Sequence, residues 1–182
     1  MPFIYITGVA GSGKSTVQKE LKKRGIESYD EDDPGVGAAH NKITNQPVKV
    51  PSADKRTPEW FERHEWRVFP QVLDKLRRLG NKQMVILFGI SIDKKVAEAK
   101  VDEILYLKVS EGAIRKRLAG RDKRENDYGK NENELQGVLS RKRTMDQRFG
   151  STAIIIDADR PVEEVVRDVL HHIKSLSSKS IR

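Results

Sequence analysis

Compact apolar runs alternate with longer amphipathic stretches along the chain. Phe3-Ile4-Tyr5-Ile6-Thr7, Ile26-Glu27-Ser28-Tyr29, Gln83 to Ile90, Glu103 to Val109 and Thr152 to Asp157 are rich in β-branched and aromatic residues and read as strands. The run from Gln83 is almost wholly apolar, as a strand covered on both faces should be. Helical patterns fill the gaps. One follows Ser15 and stops at Gly25; another is capped by Ser110 and runs to about Ala119. Asn131 with Glu134 opens a third, whose buried face is Leu135, Val138, Leu139, Met145 and Phe149. A final helix follows Pro161 to about Leu176, ahead of a frayed tail over 177–182, and a short one is expected from Asp93 to Lys100. Thr57-Pro58 predicts a helix start, with Phe61, Val68, Val72, Leu76 and Leu79 on one face, an end at Gly80, and Pro70 kinking or splitting it. Residues 38–57 are polar and read as irregular. Five strands alternating with helices predict an α/β fold, a parallel sheet with helices on both faces.

The junction between the first strand and first helix carries the clearest chemistry. Gly8-Val9-Ala10-Gly11-Ser12-Gly13-Lys14-Ser15-Thr16 fits G-x-x-x-x-G-K-[ST], the Walker A phosphate-binding loop, and sits between a strand and a helix as that motif requires. Glycines at 8, 11 and 13 allow backbone conformations that a Cβ would obstruct, so that successive N–H groups turn toward a phosphate. The helix start adds unpaired donors and the positive end of its dipole. Lys14 is expected to reach the β- and γ-phosphates of ATP, Ser15 to hold Mg²⁺, and Thr16 to touch the α-phosphate.

Three further groups are candidates for the same site. The second strand ends in Asp30-Glu31-Asp32-Asp33, and carboxylates at such a rim suit metal or proton chemistry. Asp30 and Asp32 are favoured because alternate positions of an extended segment share a face. The third strand carries no acid at its end, where a Walker B aspartate would lie, which puts more weight on this pair for Mg²⁺. Trp60, His64, Arg67 and Gln71 fall on one stripe of the expected helix, with His64 and Arg67 as acceptor-binding candidates. The basic segment from Arg115 to Lys130 is the third group, with Arg121 and Arg124 placed to stabilise a transferring phosphoryl group. Arg115 and Arg117 fall within the preceding helix, and Arg141 and Arg143 are weaker candidates on the next one.

Composition narrows the setting. With 35 Lys and Arg against 27 Asp and Glu, the chain carries a net charge of +8, which suits anionic ligands. Aromatics make up only 6% and form no basic-aromatic stripe, so nucleic acid is a weaker expectation. The absence of cysteine excludes a disulfide framework. No run approaches membrane-spanning length, and Met1-Pro2-Phe3 leads straight into a strand, so a soluble cytoplasmic protein is expected. Nothing in the pattern speaks to oligomeric state.

Gly8 to Thr16, the acidic strand end and the arginine segment together resemble the small P-loop kinases of the adenylate kinase-like group, which includes nucleoside monophosphate, shikimate and gluconate kinases. The resemblance covers nearly the whole length. It implies a three-layer fold with strand order 2-3-1-4-5 and one domain over residues 1–176, with an acceptor-binding insert at 38–69 and a lid at 120–130. Arg117 to Arg124 looks like the shikimate kinase lid, and Ile156 to Val166 like the adenine-side loop. A glycine triplet that shikimate kinases carry after the third strand is reduced here to Gly89, which argues against shikimate. The implied activity is transfer of the γ-phosphoryl group of ATP, with Mg²⁺, to a small acceptor such as a nucleotide, nucleoside or metabolite. The alternatives are a regulatory or RNA-associated ATPase and a nucleic-acid end kinase.

Overall fold

The computed structural model describes residues 1–52, 55–91, 100–121 and 128–179. In chain order the elements are β1 (Phe3–Thr7), α1 (Lys14–Lys23), β2 (Ser28–Asp30), β3 (Gly37–Asn41), β4 (Pro47–Val48), α2 (Pro58–Arg63), β5 (His64–Val68), α3 (Pro70–Gly80), β6 (Val85–Gly89), β7 (Glu103–Lys108), α4 (Glu111–Ala119), α5 (Glu132–Phe149), β8 (Ile154–Asp157) and α6 (Val162–Lys179). The expected helix over 93–100 falls on residues 92–99, outside the described residues, apart from Lys100. Residues 177–179 continue α6 rather than fraying from it.

Five strands form a parallel sheet in the order β2-β6-β1-β7-β8. Counted within this sheet, that is the second, third, first, fourth and fifth strand. Every residue of β1 and β6 is buried, because both strands lie inside the sheet and are covered. Tyr5, Tyr106, Phe3, Phe88 and Phe149 are the largest fully buried side chains, each contributing roughly 1.5–3 kcal/mol of apolar burial. The register places Thr7 beside Gly89 and Tyr106, so β1 and β6 end together, β7 continues past them to Lys108, and the glycine loop leaves from that rim. Helix α1 packs on α6, and α3 on β1 and β6.

The insert differs from the sequence expectation. The helix expected from Thr57 to Gly80 is two helices with strand β5 between them, and β5 pairs antiparallel with β3 in a second sheet of order β4-β3-β5. Residues 38–57, expected to be irregular, supply the other two strands. The apolar positions of a 3.6-residue period were present, yet His64-Glu65-Trp66-Arg67-Val68 also alternates, and pairing with the small residues Gly37, Ala38 and Ala39 overrides helix propensity. Asn45 closes the β3–β4 hairpin with φ 57°, and the Asn41 side chain accepts from the N–H groups of Ile43 and Thr44. Thr57 does cap α2, with Pro58 in its first turn, and Pro70 does open α3.

One side chain ties β2, β6 and the insert together. Glu31 is 3% exposed, and its carboxylate accepts from the N–H of Ile90 at 2.7 Å, the N–H of Ser91 at 2.9 Å and the Ser91 hydroxyl at 2.6 Å. Its backbone N–H donates to the Phe88 carbonyl, and its own carbonyl accepts from Trp66 Nε1 at 3.2 Å. Gly89 leaves room for it: a Cβ there would lie 2.3 Å from Glu31 Oε2 and 2.7 Å from Cδ. Because three donors hold the carboxylate, it cannot swing aside. Gly89→Ala is therefore expected to cost about 1–3 kcal/mol by overpacking, measured by urea denaturation; a loss below about 0.5 kcal/mol would contradict the close packing described.

Candidate active site

The phosphate loop is built from the strand end upward. Gly11 and Gly13 adopt φ 83° and 95°, left-handed values that glycine takes without strain, and Gly13 is the N-cap of α1. Gly8 is fixed by space, since a Cβ would lie 2.5 Å from Ser12 Oγ and 3.0 Å from the Leu107 carbonyl. Ser12 is buried, and among the described residues its hydroxyl has no hydrogen-bond partner. Ser15 and Thr16 are exposed on the first turn of α1, which carries no acid to compete with a bound anion.

Lys14 donates to the carbonyls of Gly8 at 2.5 Å and Val9 at 3.3 Å. Burial pushes its ammonium below the usual lysine range, against the opposing pull of Glu31, Asp30 and Asp32; Arg121 acts in the same direction as burial. Asp30 and Asp32 are pushed upward, first by withdrawal from water, while Lys14 pulls both down. Neighbouring acids crowd them as well, Asp33 beside Asp30 and both Asp30 and Asp33 beside Asp32. All three acids of 30–32 thus act on one lysine, but they divide the work. Glu31 is consumed by its three donors, Asp30 accepts from the Asp32 N–H at 3.0 Å, and Asp33 turns back to the Asp30 N–H at 2.9 Å. Although β6 carries no acid of its own, the Glu31 carboxylate lies across its end.

A cavity of about 620 Å³ opens around Lys14, bounded by Gly13, Ser15, Thr16, Arg117, Arg121 and Arg160. Arg121 is where the sequence places it, and Arg124 lies outside the described residues. Arg117, set aside in the sequence as a helical residue, belongs to the site: it donates to the Gly11 carbonyl at 3.2 Å and the Ala158 carbonyl at 2.7 Å, joining the glycine loop to the loop after β8. A long side chain one turn before the end of a helix that faces the glycine loop is the signal that could have found it. Arg160 lies on the same loop but is committed to Asp168, Asp157 and Glu164.

His64 and Arg67 do not form a helical stripe. They sit three apart on β5, on opposite faces of the small sheet, because side chains alternate along a strand. The His64 ring stacks on Trp60 at 4.6 Å with its Nδ1 2.7 Å from the Trp60 carbonyl, and it does not line the cavity around Lys14. Arg67 pairs with Glu65 and Asn45 and lines a second cavity, also of about 620 Å³, with Trp66, Ser91 and Arg148. Gln71 lies in α3, apart from both. Of the weaker candidates, Arg143 turns to Glu111 on α4, while the charge of Arg141 acts on Tyr128. The described residues contain no group of three or more His, Cys, Asp or Glu side chains able to hold a metal, and no helix among them is long and apolar enough to cross a membrane.

Comparison with known proteins places the fold. The chain is similar to shikimate kinase from Acinetobacter baumannii in complex with shikimate, at 18% identity and a TM-score of 0.60, over 96% of this chain and 94% of that one. It is similar to a gluconokinase from Sinorhizobium meliloti 1021, at 18% identity and 0.56 over 99% and 95%. A sugar kinase from Janibacter sp. HTCC2649 matches at 15% identity and 0.57 over 96% and 95%. No curated protein matches the chain. A family model described as an AAA domain matches residues 4–137, and the chain belongs to that family, built on the fold of the small P-loop kinases.

Proposed function

We propose that the chain is an ATP-dependent phosphotransferase that moves the γ-phosphoryl group to a small acceptor. The observation that carries this reading is that Lys14 shares its cavity with Arg117 and Arg121 while the charges of Asp30 and Asp32 also act on it. A nucleotide switch needs the loop and lysine; carboxylates and arginines acting on the same lysine suit transfer. The neighbours named for shikimate, gluconate and sugar support a small, hydroxyl-bearing acceptor. Residues 38–69 then serve as the acceptor insert and 120–130 as the lid. The second cavity is the acceptor side, since Ser91 at its wall donates to Glu31, whose charge acts on Lys14.

In this reading the loop N–H groups, Ser12 and Lys14 hold the phosphates, and the α1 dipole favours their charge. The donors present fit Mg²⁺ bound with ATP rather than by a protein cage: Ser15 would hold it, with Asp32 or Asp30 behind, and the ion would neutralise charge on the phosphate oxygens. The acceptor oxygen forms its bond to the γ-phosphorus as the bond to the bridging oxygen of ADP breaks. The hydroxyl proton passes to Asp30, held in place by the Asp32 N–H. Arg121, with Arg124, draws charge from the transferring group. Without a fitting acceptor, the same site would run as a slow ATPase.

The test is ADP release from Mg²⁺-ATP against a panel of nucleotides, nucleosides, sugars, sugar acids and RNA ends, with Lys14→Ala as blank. One small acceptor should stimulate wild type, and the blank should lose about a hundredfold or more. Turnover stimulated by RNA alone, without transfer to it, would replace this reading with the regulatory ATPase.

The same carboxylates carry a stability cost. A raised Asp32 pKa means that the folded chain binds the proton more tightly than the unfolded chain. The contribution is full below the unfolded pKa and is lost as pH rises through the folded pKa. Because Asp32 is exposed and water screens its charge, Asp32→Asn should melt only slightly higher than wild type at about pH 7.5, with the gap closing toward about pH 4, while ADP formation falls. A variant that melts lower at neutral pH would contradict the electrostatic assignment.

A further inference from the structure

We infer that Arg56 and Glu134 are positioning residues that set Arg121 at the phosphate cavity, through a buried ion pair joining the insert to the base of α5. The inference rests on the cavity around Lys14 being the nucleotide site.

Arg56 Nε lies 3.2 Å from Glu134 Oε1, a charge contact without hydrogen-bond geometry, and the two side chains are 10% and 0% exposed. A buried ion pair is not needed merely to hold two segments together, because an apolar pair would do so with less desolvation. What an apolar pair would not do is fix a backbone donor. Glu134 Oε2 accepts from the Gly129 N–H at 2.8 Å, while the N–H of Glu134 is itself capped by Asn131 Oδ1 at 2.8 Å. The pair thus orients the chain just before α5. Gly129 has φ 88°, and a Cβ there would come within 2.8 Å of Leu118, so residue 129 lies hard against the last turn of α4. Next in the chain, Lys130 Nζ donates to the Arg121 carbonyl. The insert grips the same place from its own side: the Arg56 guanidinium stands 6.0 Å over the Tyr128 ring, and Phe61 meets that ring edge-on at 6.0 Å.

The contacts form one continuous path. Arg56 holds Glu134, Glu134 holds Gly129, and Lys130 holds the backbone of Arg121, whose side chain lines the phosphate cavity and whose charge acts on Lys14. Residues 121 and 128–130 stand on either side of the segment 122–127. The pair therefore fixes both attachment points of that segment relative to the insert, and Arg121 with them. The consequence is that losing the pair should be felt at the nucleotide chiefly through Arg121, beyond whatever reaches Gly11 through the Leu118 packing.

A thermodynamic cycle tests this. Binding of Mg²⁺ with the β,γ-imido analogue of ATP is titrated calorimetrically into wild type, Arg121→Ala, the paired variant Arg56→Met with Glu134→Gln, and the combination of all three. The paired variant removes both charges while Gln keeps an acceptor for Gly129. Arg121→Ala should weaken binding about tenfold, the paired variant by a similar factor, and the combination by no more than either. Arg56→Lys keeps the charge without the planar contact; it should weaken binding about threefold and add nothing when Arg121 is alanine, which decides the matter if the paired variant fails to fold. Losses that multiply toward a hundredfold, a paired or Lys variant that binds as wild type does, or an unaffected Arg121→Ala would each overturn the inference. The titrations need no acceptor, so a failure to find a phosphorylated small molecule leaves them intact, and the two failures are distinguishable.

Discussion

A lysine ammonium held away from water is the constraint that the rest of the site answers to. Lys14 sits at the start of α1 because the glycine loop turns there, and its ammonium rests on two carbonyls of that loop. Removing a cation from water is costly, and the surroundings offset that cost with acids from the β2 rim. Phosphate oxygens would be far stronger partners than carbonyls, so a bound polyphosphate relieves the same constraint. The loop is thereby prepared for charge before any ligand arrives.

The two flanks of this lysine are built differently. On the acidic side rigidity comes from Glu31, whose carboxylate closes over Gly89 and ties β2 to β6, while the charges of Asp30 and Asp32 act on Lys14. On the basic side Arg117 spans the glycine loop and the loop after β8, so the nucleotide cavity is walled by a side chain that is itself locked. Arg121 is placed less directly, through backbone contacts at the end of α4. Acids held at the β2 end and a separately mounted arginine suit a reaction in which one group orients an incoming hydroxyl and the other gathers charge as it moves.

Much of this was legible in the chain. The five sheet strands, the glycine loop and the helices after it are local signals, each carried by residues near one another. Asp30 does close β2, but Asp32 falls in the turn after it rather than on an extended segment, so alternation along a strand does not relate the two. The insert was not legible, because 64–68 satisfies helical and strand periods alike, and only pairing with Gly37–Asn41, more than twenty residues away, decides between them. That error carried His64 and Arg67 onto a common face they do not share. Glu31 and Arg117 escaped for a related reason: each acts on a backbone group remote in sequence, at Ile90 and Ser91 in one case and Gly11 and Ala158 in the other. Nothing in a run of four acids or a basic helix marks such partners.

In this mechanism the phosphoryl group leaves ATP for a small molecule. The measurement closest to it follows the fate of label from γ-³²P-ATP with Mg²⁺, in the presence of a protein-free mixture of small metabolites. Wild type should form a new organic phosphate that is absent with Lys14→Ala. Label recovered only as inorganic phosphate, or only on nucleic acid, would contradict it.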